Sequence, residues 1–292
     1  MHGYLILVAT SFLVIVNTAI ISLLICIIAL IKVMTPTLAL KRYPTALANQ
    51  LMWVWATLNA GILRLFNRVE WDISGVDNLS KHGWYLMISN HRSWTDIVVL
   101  CCVFKDRIPM PKFFMKQQLL YIPLMGMACW ALGMPFMKRY SREYLLRHPE
   151  KRGEDLRTTR RSCEQFKHTP TTVVNYVEGT RCTKQKLATS KAGYQHLLQP
   201  KSGGMAYTLA AMGEQFDCIL DVTLAYPQNV ENPFRDMLMG RMNRIVVDVT
   251  VRPIDEHVLG DYFNDKPYKR RFQHWLGDVW EEKDRLLEKH YQ

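Results

Sequence analysis

Acidic side chains are in short supply: 26 Asp and Glu stand against 37 Lys and Arg, a formal charge of +11 over 292 residues. The imbalance favours an anionic partner, whether nucleic acid, lipid headgroups or a phosphorylated substrate. Paired cysteines are also missing. The seven cysteines contain no C-x-x-C and no Cys/His zinc spacing, so they read as reduced, mostly packed thiols in a reducing compartment. There is no G-x-S-x-G elbow, no P-loop and no dinucleotide fingerprint, which removes the hydrolase, nucleotide-triphosphatase and dinucleotide readings those motifs carry. No internal repeat or low-complexity linker divides the chain, and its length suits one large or two modest domains.

Charge is wholly absent from Tyr4 to Ile31. At ~1.5 Å per residue this run reaches roughly 42 Å as a helix, more than the ~30 Å hydrocarbon core of a bilayer requires. It is longer than the apolar region of a signal peptide and has no Lys or Arg before it, so a membrane span is expected and a cleaved signal is not. Lys32, Lys41, Arg42, Arg64 and Arg68 follow the run, which places the bulk of the chain on the cytoplasmic side. After Thr35-Pro36, Leu47, Leu51, Val54, Leu58, Ile62 and Leu65 recur at helical spacing with Trp53 and Trp55 among them. Residues 45–66 read as an amphipathic helix on the bilayer surface, with an ordinary core helix as the alternative.

Beyond it, Val69 to Ser74 alternates and stops at Gly75, predicting a strand, and Trp84 to Ile88 predicts a second. A helix is expected through Ile97 to Phe104. Strand, helix and strand are expected at Lys112 to Met115, Tyr121 to Trp130 and Met134 to Met137. An exposed helix is expected over about 150–167, strands at Thr171 to Tyr176, Ile219 to Leu224 and Ile245 to Val251, and a closing helix at Lys269 to Leu287. Strands alternating with helices give an α/β class, a mixed sheet flanked by helices whose ligands gather at strand ends.

Ser89-Asn90-His91-Arg92-Ser93-Trp94-Thr95-Asp96 sits where the second strand gives way to the helix. A histidine near neutral pKa can take a proton from a hydroxyl, and a carboxylate can orient the ring. Ser93 with Asp96 three residues on is equally the pattern of a helix N-cap. In one continuous helix His91 and Asp96 would point about 140° apart, so they meet only if His91 lies in the loop and Asp96 in the first turn. Further basic or turn-forming pieces follow other strands: Lys138-Arg139, Glu178-Gly179-Thr180-Arg181 and Ala225-Tyr226-Pro227. Arginines there can grip a phosphate, or stand as solvated charges. Cys182 is a candidate reactive thiol beside a cation or a packed one. Ligation of a metal by His91 and Asp96 would lack further ligands, and no metal site is expected.

Asn90-His91 followed by Asp96 is the NHxxxxD motif, and Val177-Glu178-Gly179-Thr180-Arg181 resembles the xxEGTR motif, of the glycerolipid acyltransferases typified by 1-acylglycerol-3-phosphate acyltransferase. Gly133 to Arg139 and Val222 to Pro227 resemble that family's second and last blocks, so four blocks fall in order. Tyr176-Val177 departs from the usual Phe-Pro, and Leu197 to Gly204 resembles the lysocardiolipin and related lysophospholipid subgroup.

The resemblance implies a glycerol-phosphate acyltransferase-like fold. Residues 1–34 would be a transmembrane anchor, 35–68 an interfacial helix and linker, and 69–292 a catalytic domain at the cytoplasmic face of a bacterial inner membrane. It implies His91 as general base with Asp96 orienting it, and Lys138, Arg139, Glu178, Gly179, Thr180 and Arg181 as substrate-binding residues. The carboxylate of Glu178 cannot hold a phosphate directly and would orient Arg139, Arg181 or a substrate hydroxyl. Backbone amides at the helix start or the Gly179 loop would steady the oxyanion. The donor would be acyl-CoA or acyl carrier protein, with no cofactor, and the acceptor a lysophospholipid, most simply 1-acylglycerol 3-phosphate. Alternatives are another headgroup such as lysocardiolipin, and a non-catalytic protein that binds anionic lipid. Nucleic acid is a poor fit to basic residues spread among apolar blocks.

Overall fold

The computed structural model describes residues 2–137 and 169–292, together with residues 144, 147, 148, 157, 163 and 166. The uncharged run forms α1 (His2–Met34). Among the described residues α1 is the one helix long and apolar enough to cross a membrane. A short break leads into α2 (Leu38–Phe66), where the Thr37 hydroxyl accepts from the Leu40 amide at 3.4 Å and caps the helix. The two helices fold back on each other as a hairpin. Asn17 Nδ2 donates to the Trp55 carbonyl at 3.1 Å, and Trp55 Nε1 donates to Thr18 Oγ1 at 3.0 Å.

Packing decides which face of α2 meets protein. Ala48, Ala56, Asn59 and Leu63 are the buried positions, whereas Leu47, Val54, Leu58 and Leu65 stand exposed. Ala48, Ala56 and Asn59, small or polar, and Leu63 face protein, while four of the large apolar residues of the stripe stay outward.

The elements that follow are β1 (Glu70–Ser74), β2 (Tyr85–Ser89), α3 (Thr95–Phe104), β3 (Pro111–Phe113), β4 (Met115–Lys116), a 3-10 turn (Gln117–Tyr121), α4 (Met125–Ala131) and β5 (Phe136–Met137). Then come β6 (Thr172–Tyr176), α5 (Lys184–Ala188), α6 (Ser202–Met212), β7 (Cys218–Ala225), α7 (Pro233–Leu238), β8 (Arg244–Arg252) and α8 (Lys266–Tyr291). Six strands form one sheet in the order β1-β8-β7-β2-β6-β3. Its neighbours are parallel except for β7 and β8, so the sheet is mixed as expected. β4 and β5 pair apart from it as a two-stranded ribbon, so the Met134 to Met137 strand does not join the main sheet.

β2 is buried along its whole length, as a run of consecutive apolar residues in a parallel sheet requires. Tyr85 and Met87 face a core shared with α1, α3 and α4, while Leu86 and Ile88 face one shared with α6 and α8. α8 is pinned to β7 by Lys283, whose ammonium lies 2.6 Å from Asp221 and donates to the Val222 carbonyl at 2.7 Å. The three helices α5, α6 and α7 carry no clear apolar period and were not expected. The helix anticipated over about 150–167 lies for the most part outside the described residues. Cys163 and Phe166, which are described, are buried.

Candidate active site

β2 delivers the motif loop at its C-terminal end, with β6 and β7 as its two neighbours. Three of the four strand-end pieces therefore converge. Asn90 explains why β2 ends where it does: its side-chain amide copies a peptide unit, Nδ2 donating to the Leu224 carbonyl at 2.9 Å and Oδ1 accepting from the Leu224 amide at 2.8 Å. The sheet is extended by one side chain, and His91 is the first residue released from it.

Asp96 is fully buried in the first turn of α3. Its Oδ2 lies 2.7 Å from His91 Nδ1 and accepts the amides of Arg92 at 2.8 Å and Ser93 at 2.9 Å. Tyr226 Oη donates to Oδ1 at 2.7 Å. Burial and the Asp96 charge hold the Tyr226 phenol well above the usual tyrosine range, so it stays a donor. Amides only donate, so Asp96 is an acceptor throughout and the proton between it and His91 belongs on Nδ1. Nε2 is left with its lone pair, the tautomer a general base needs.

The capping expectation is corrected in one respect. Trp94 holds the N-cap position with no side-chain cap, and the Ser93 hydroxyl accepts from the Thr95 amide at 3.2 Å. The acid reaches back to the Ser93 amide as in a capping box, and the same oxygen holds the imidazole. Because Arg92, Ser93 and Thr95 spend their amides in this way, the helix start cannot supply those donors to an oxyanion.

The ring of Tyr176, the last residue of β6, stacks on His91 with centroids 4.0 Å apart and planes 14° from parallel. The departure from Phe-Pro at this point thus supplies the platform for the histidine. A cavity of about 380 Å³ opens beside them, lined by His91, Trp94, Tyr176, Gly179, Thr180 and Arg181. Gly179 turns the loop with φ of +71°, a left-handed conformation that costs other residues strain. The Arg181 guanidinium lies over the Trp94 ring at 5.3 Å. Lys116 and Lys186 add two further cations to the cavity wall, and no acidic side chain among the described residues lines it. Lys186 also donates to Thr180 Oγ1 at 2.6 Å and to the Arg181 carbonyl at 3.2 Å, bracing the loop. Neither lysine was singled out from the sequence, since each is one among many.

Glu178 behaves differently from its expected role. It is 1% exposed and is not among the cavity-lining residues. Its charged neighbours are Arg92, Asp96 and Lys283, not Arg181. Burial pushes its carboxyl up to about 8, against the opposing pull of Arg92. Arg92 in turn donates to the His196 carbonyl at 3.0 Å and sits 5.5 Å over the Tyr291 ring, tying the motif loop to the end of α8. Burial likewise pushes the Cys182 thiol up, which removes the reactive-thiol reading. Lys138 and Arg139 lie outside the described residues.

An adjoining apolar cavity of about 290 Å³ lies between α1, α2, α3 and α4 and shares Trp94, Ile97, Phe113 and Met115 with the first. Its other walls include Ile21, Ile25, Val98 and Ala128.

The family model described as Acyltransferase matches residues 70–209. Lysocardiolipin acyltransferase 1 of Danio rerio is 26% identical over 262 residues, covering 84% of this chain and 62% of that protein. The chain thus spans less than two thirds of the length of that relative. The 1-acyl-sn-glycerol-3-phosphate acyltransferase of Saccharomyces cerevisiae is 28% identical over 149 residues, covering 50% of this chain and 45% of that one. The crystal structure of the 1-acyl-sn-glycerophosphate acyltransferase PlsC from Thermotoga maritima superposes with a TM-score of 0.56 at 16% identity, covering 96% of both chains, and so shares the fold. The chain is thus similar to acyltransferases over the segment that holds every described residue lining the His91 cavity.

Proposed function

We propose that the protein transfers a fatty acyl group from a thioester donor, acyl-CoA or acyl carrier protein, to the free hydroxyl of a lysophospholipid at the cytoplasmic face of a bacterial inner membrane. The observation that carries this reading is the His91–Asp96 pair, with Nε2 left free to accept a proton at the edge of a cationic cavity that continues into an apolar one. His91 takes the hydroxyl proton, the acceptor oxygen attacks the thioester carbonyl carbon, and the carbon–sulfur bond breaks. The departing thiolate recovers the proton from the imidazolium. The acceptor hydroxyl is itself the nucleophile, so neither an acyl-enzyme nor a cofactor is required. Arg181, Lys116 and Lys186 attract the acceptor phosphate, and Thr180 and Gly179 shape the loop that presents them. Arg139 and Lys138, as the second-block cations, would join them. The fatty chain occupies the apolar cavity, whose walls have little else to bind.

The acceptor we favour is 1-acylglycerol 3-phosphate, giving phosphatidic acid, because a terminal phosphate best uses three converging cations. A second reading, a lysophospholipid with a larger headgroup such as lysocardiolipin, is favoured by the likeness to lysocardiolipin acyltransferase over most of the chain. Purified protein supplied with acyl-CoA or acyl carrier protein and an equimolar mixture of lysophospholipids separates them. Phosphatidic acid is the expected major product. A different diacyl product would select the second reading, and lipid binding without turnover on any donor would leave a non-catalytic lipid-binding protein.

A further inference from the structure

Among the described residues two lysines are deeply buried, and they are treated differently. Lys283 has a carboxylate at 2.6 Å. Lys112, on β3 and 5% exposed, has among the described residues only neutral acceptors: Asn49 Oδ1 and the Leu132 carbonyl, each at 2.7 Å. An ammonium with three N–H groups keeps one donor beyond these two bonds. Lys112 is not isolated. It lines a small cleft together with Lys32 at the end of α1, with Thr45, Asn49 and Thr171 on the remaining walls. Lys32 also lines the neighbouring cavity of about 400 Å³, with Lys41 on α2 and Trp130 on α4. Among the described residues, three cations thus meet with no acidic side chain lining either space and no ion-pair partner for any of the three.

Lys112 is kept from water and Lys32 and Lys41 are half-buried beside it; like charges gathered in this way against their mutual repulsion call for an anion. Burial, and then the charge of Lys32, hold the Lys112 ammonium down at about 7, and a bound anion would raise it again. The position of the cavity says which anion. It opens near the end of α1, where Trp130, exposed although largely apolar, forms part of its wall. Aromatic side chains in that position mark the headgroup level of a bilayer. Neither space shares a lining residue with the His91 cavity.

We propose that Lys32, Lys41 and Lys112 form a second phosphate site, which holds the headgroup phosphate of an anionic membrane phospholipid apart from the catalytic pocket. The inference concerns binding only, so it stands or falls independently of acyl transfer. The test is native mass spectrometry of the full chain released from micelles holding equal amounts of phosphatidylglycerol and phosphatidylcholine. The wild type should retain phosphatidylglycerol in preference. The variant K32Q/K41Q should lose about 10- to 30-fold of that preference, at roughly the worth of two lysines at a membrane surface. The charge-matched K81Q/K289Q should keep it. Asn49→Asp, which supplies Lys112 with a carboxylate, should abolish the retention while raising the thermal midpoint. Equal retention by K32Q/K41Q and the wild type, or undiminished retention by Asn49→Asp, would overturn the site. Retention of inorganic phosphate with no preference between the two lipids would overturn its assignment to a lipid headgroup.

Discussion

At the scale of single residues, the site depends on side chains that never touch a substrate. Asn90 closes the β2–β7 ladder and so sets where His91 begins. Asn90→Ala should leave a buried amide and carbonyl unpaired, lowering stability by about 1–3 kcal/mol, with a fall in kcat from the loosened loop. Thermal unfolding in micelles and acyl-transfer kinetics read both. Glu178 makes a prediction about pH. Its carboxyl is held up from 4.5 to about 8, so the folded state keeps a proton that the unfolded chain releases. That contribution is complete below pH 4.5 and is lost progressively as pH rises to about 8. Glu178→Gln cannot ionise, so its thermal midpoint should gain on the wild type across that window and run parallel above it. A gap constant with pH would contradict the buried, neutral carboxyl. The His91–Asp96 pair was legible from five-residue spacing at a strand end. Tyr226 and Tyr176 were not recognised as its supports, because they come from distant strands and only sheet order brings them beside it.

At the scale of elements, strands were the most legible parts, since β2, β6, β7 and β8 are short apolar or β-branched runs bounded by turns. Helix faces were read less well. The stripe from Leu47 to Leu65 was found, but periodicity cannot say whether an apolar face meets protein or lipid, and here four of its residues face outward. The ribbon of β4 and β5 and the helices α5 to α7 are too short to show a period. α4 bears on function through Ala128, which is buried and lines the apolar cavity. Ala128→Phe should fill part of that space and lower kcat/KM for long acyl donors by about tenfold or more relative to short ones. Rates measured over a series of donor chain lengths check this. A uniform loss across the series would place the acyl chain elsewhere.

At the scale of the whole molecule, the excess of positive charge and the uncharged N-terminal run point to the same surroundings. The chain carries +11, and its long apolar helix has Lys32 in its last turn, which with Lys41 at the start of α2 lines the cavity proposed for a lipid phosphate. The mixed α/β sheet was legible from the alternation of elements, whereas its order, with β8 between β1 and β7, was not. That order brings the ends of β2, β6 and β7 together, and with them the motif loop, the Gly179 turn and Tyr226. The central claim is that His91, oriented by Asp96, deprotonates the acceptor hydroxyl. The most direct measurement is single-turnover acyl transfer to 1-acylglycerol 3-phosphate by the wild type, His91→Ala and Asp96→Asn in the same micelles, with lysophospholipid binding measured alongside. Both variants should bind the lipid as the wild type does and lose about 10²- to 10⁴-fold in rate; transfer near the wild-type rate in either variant would contradict the mechanism.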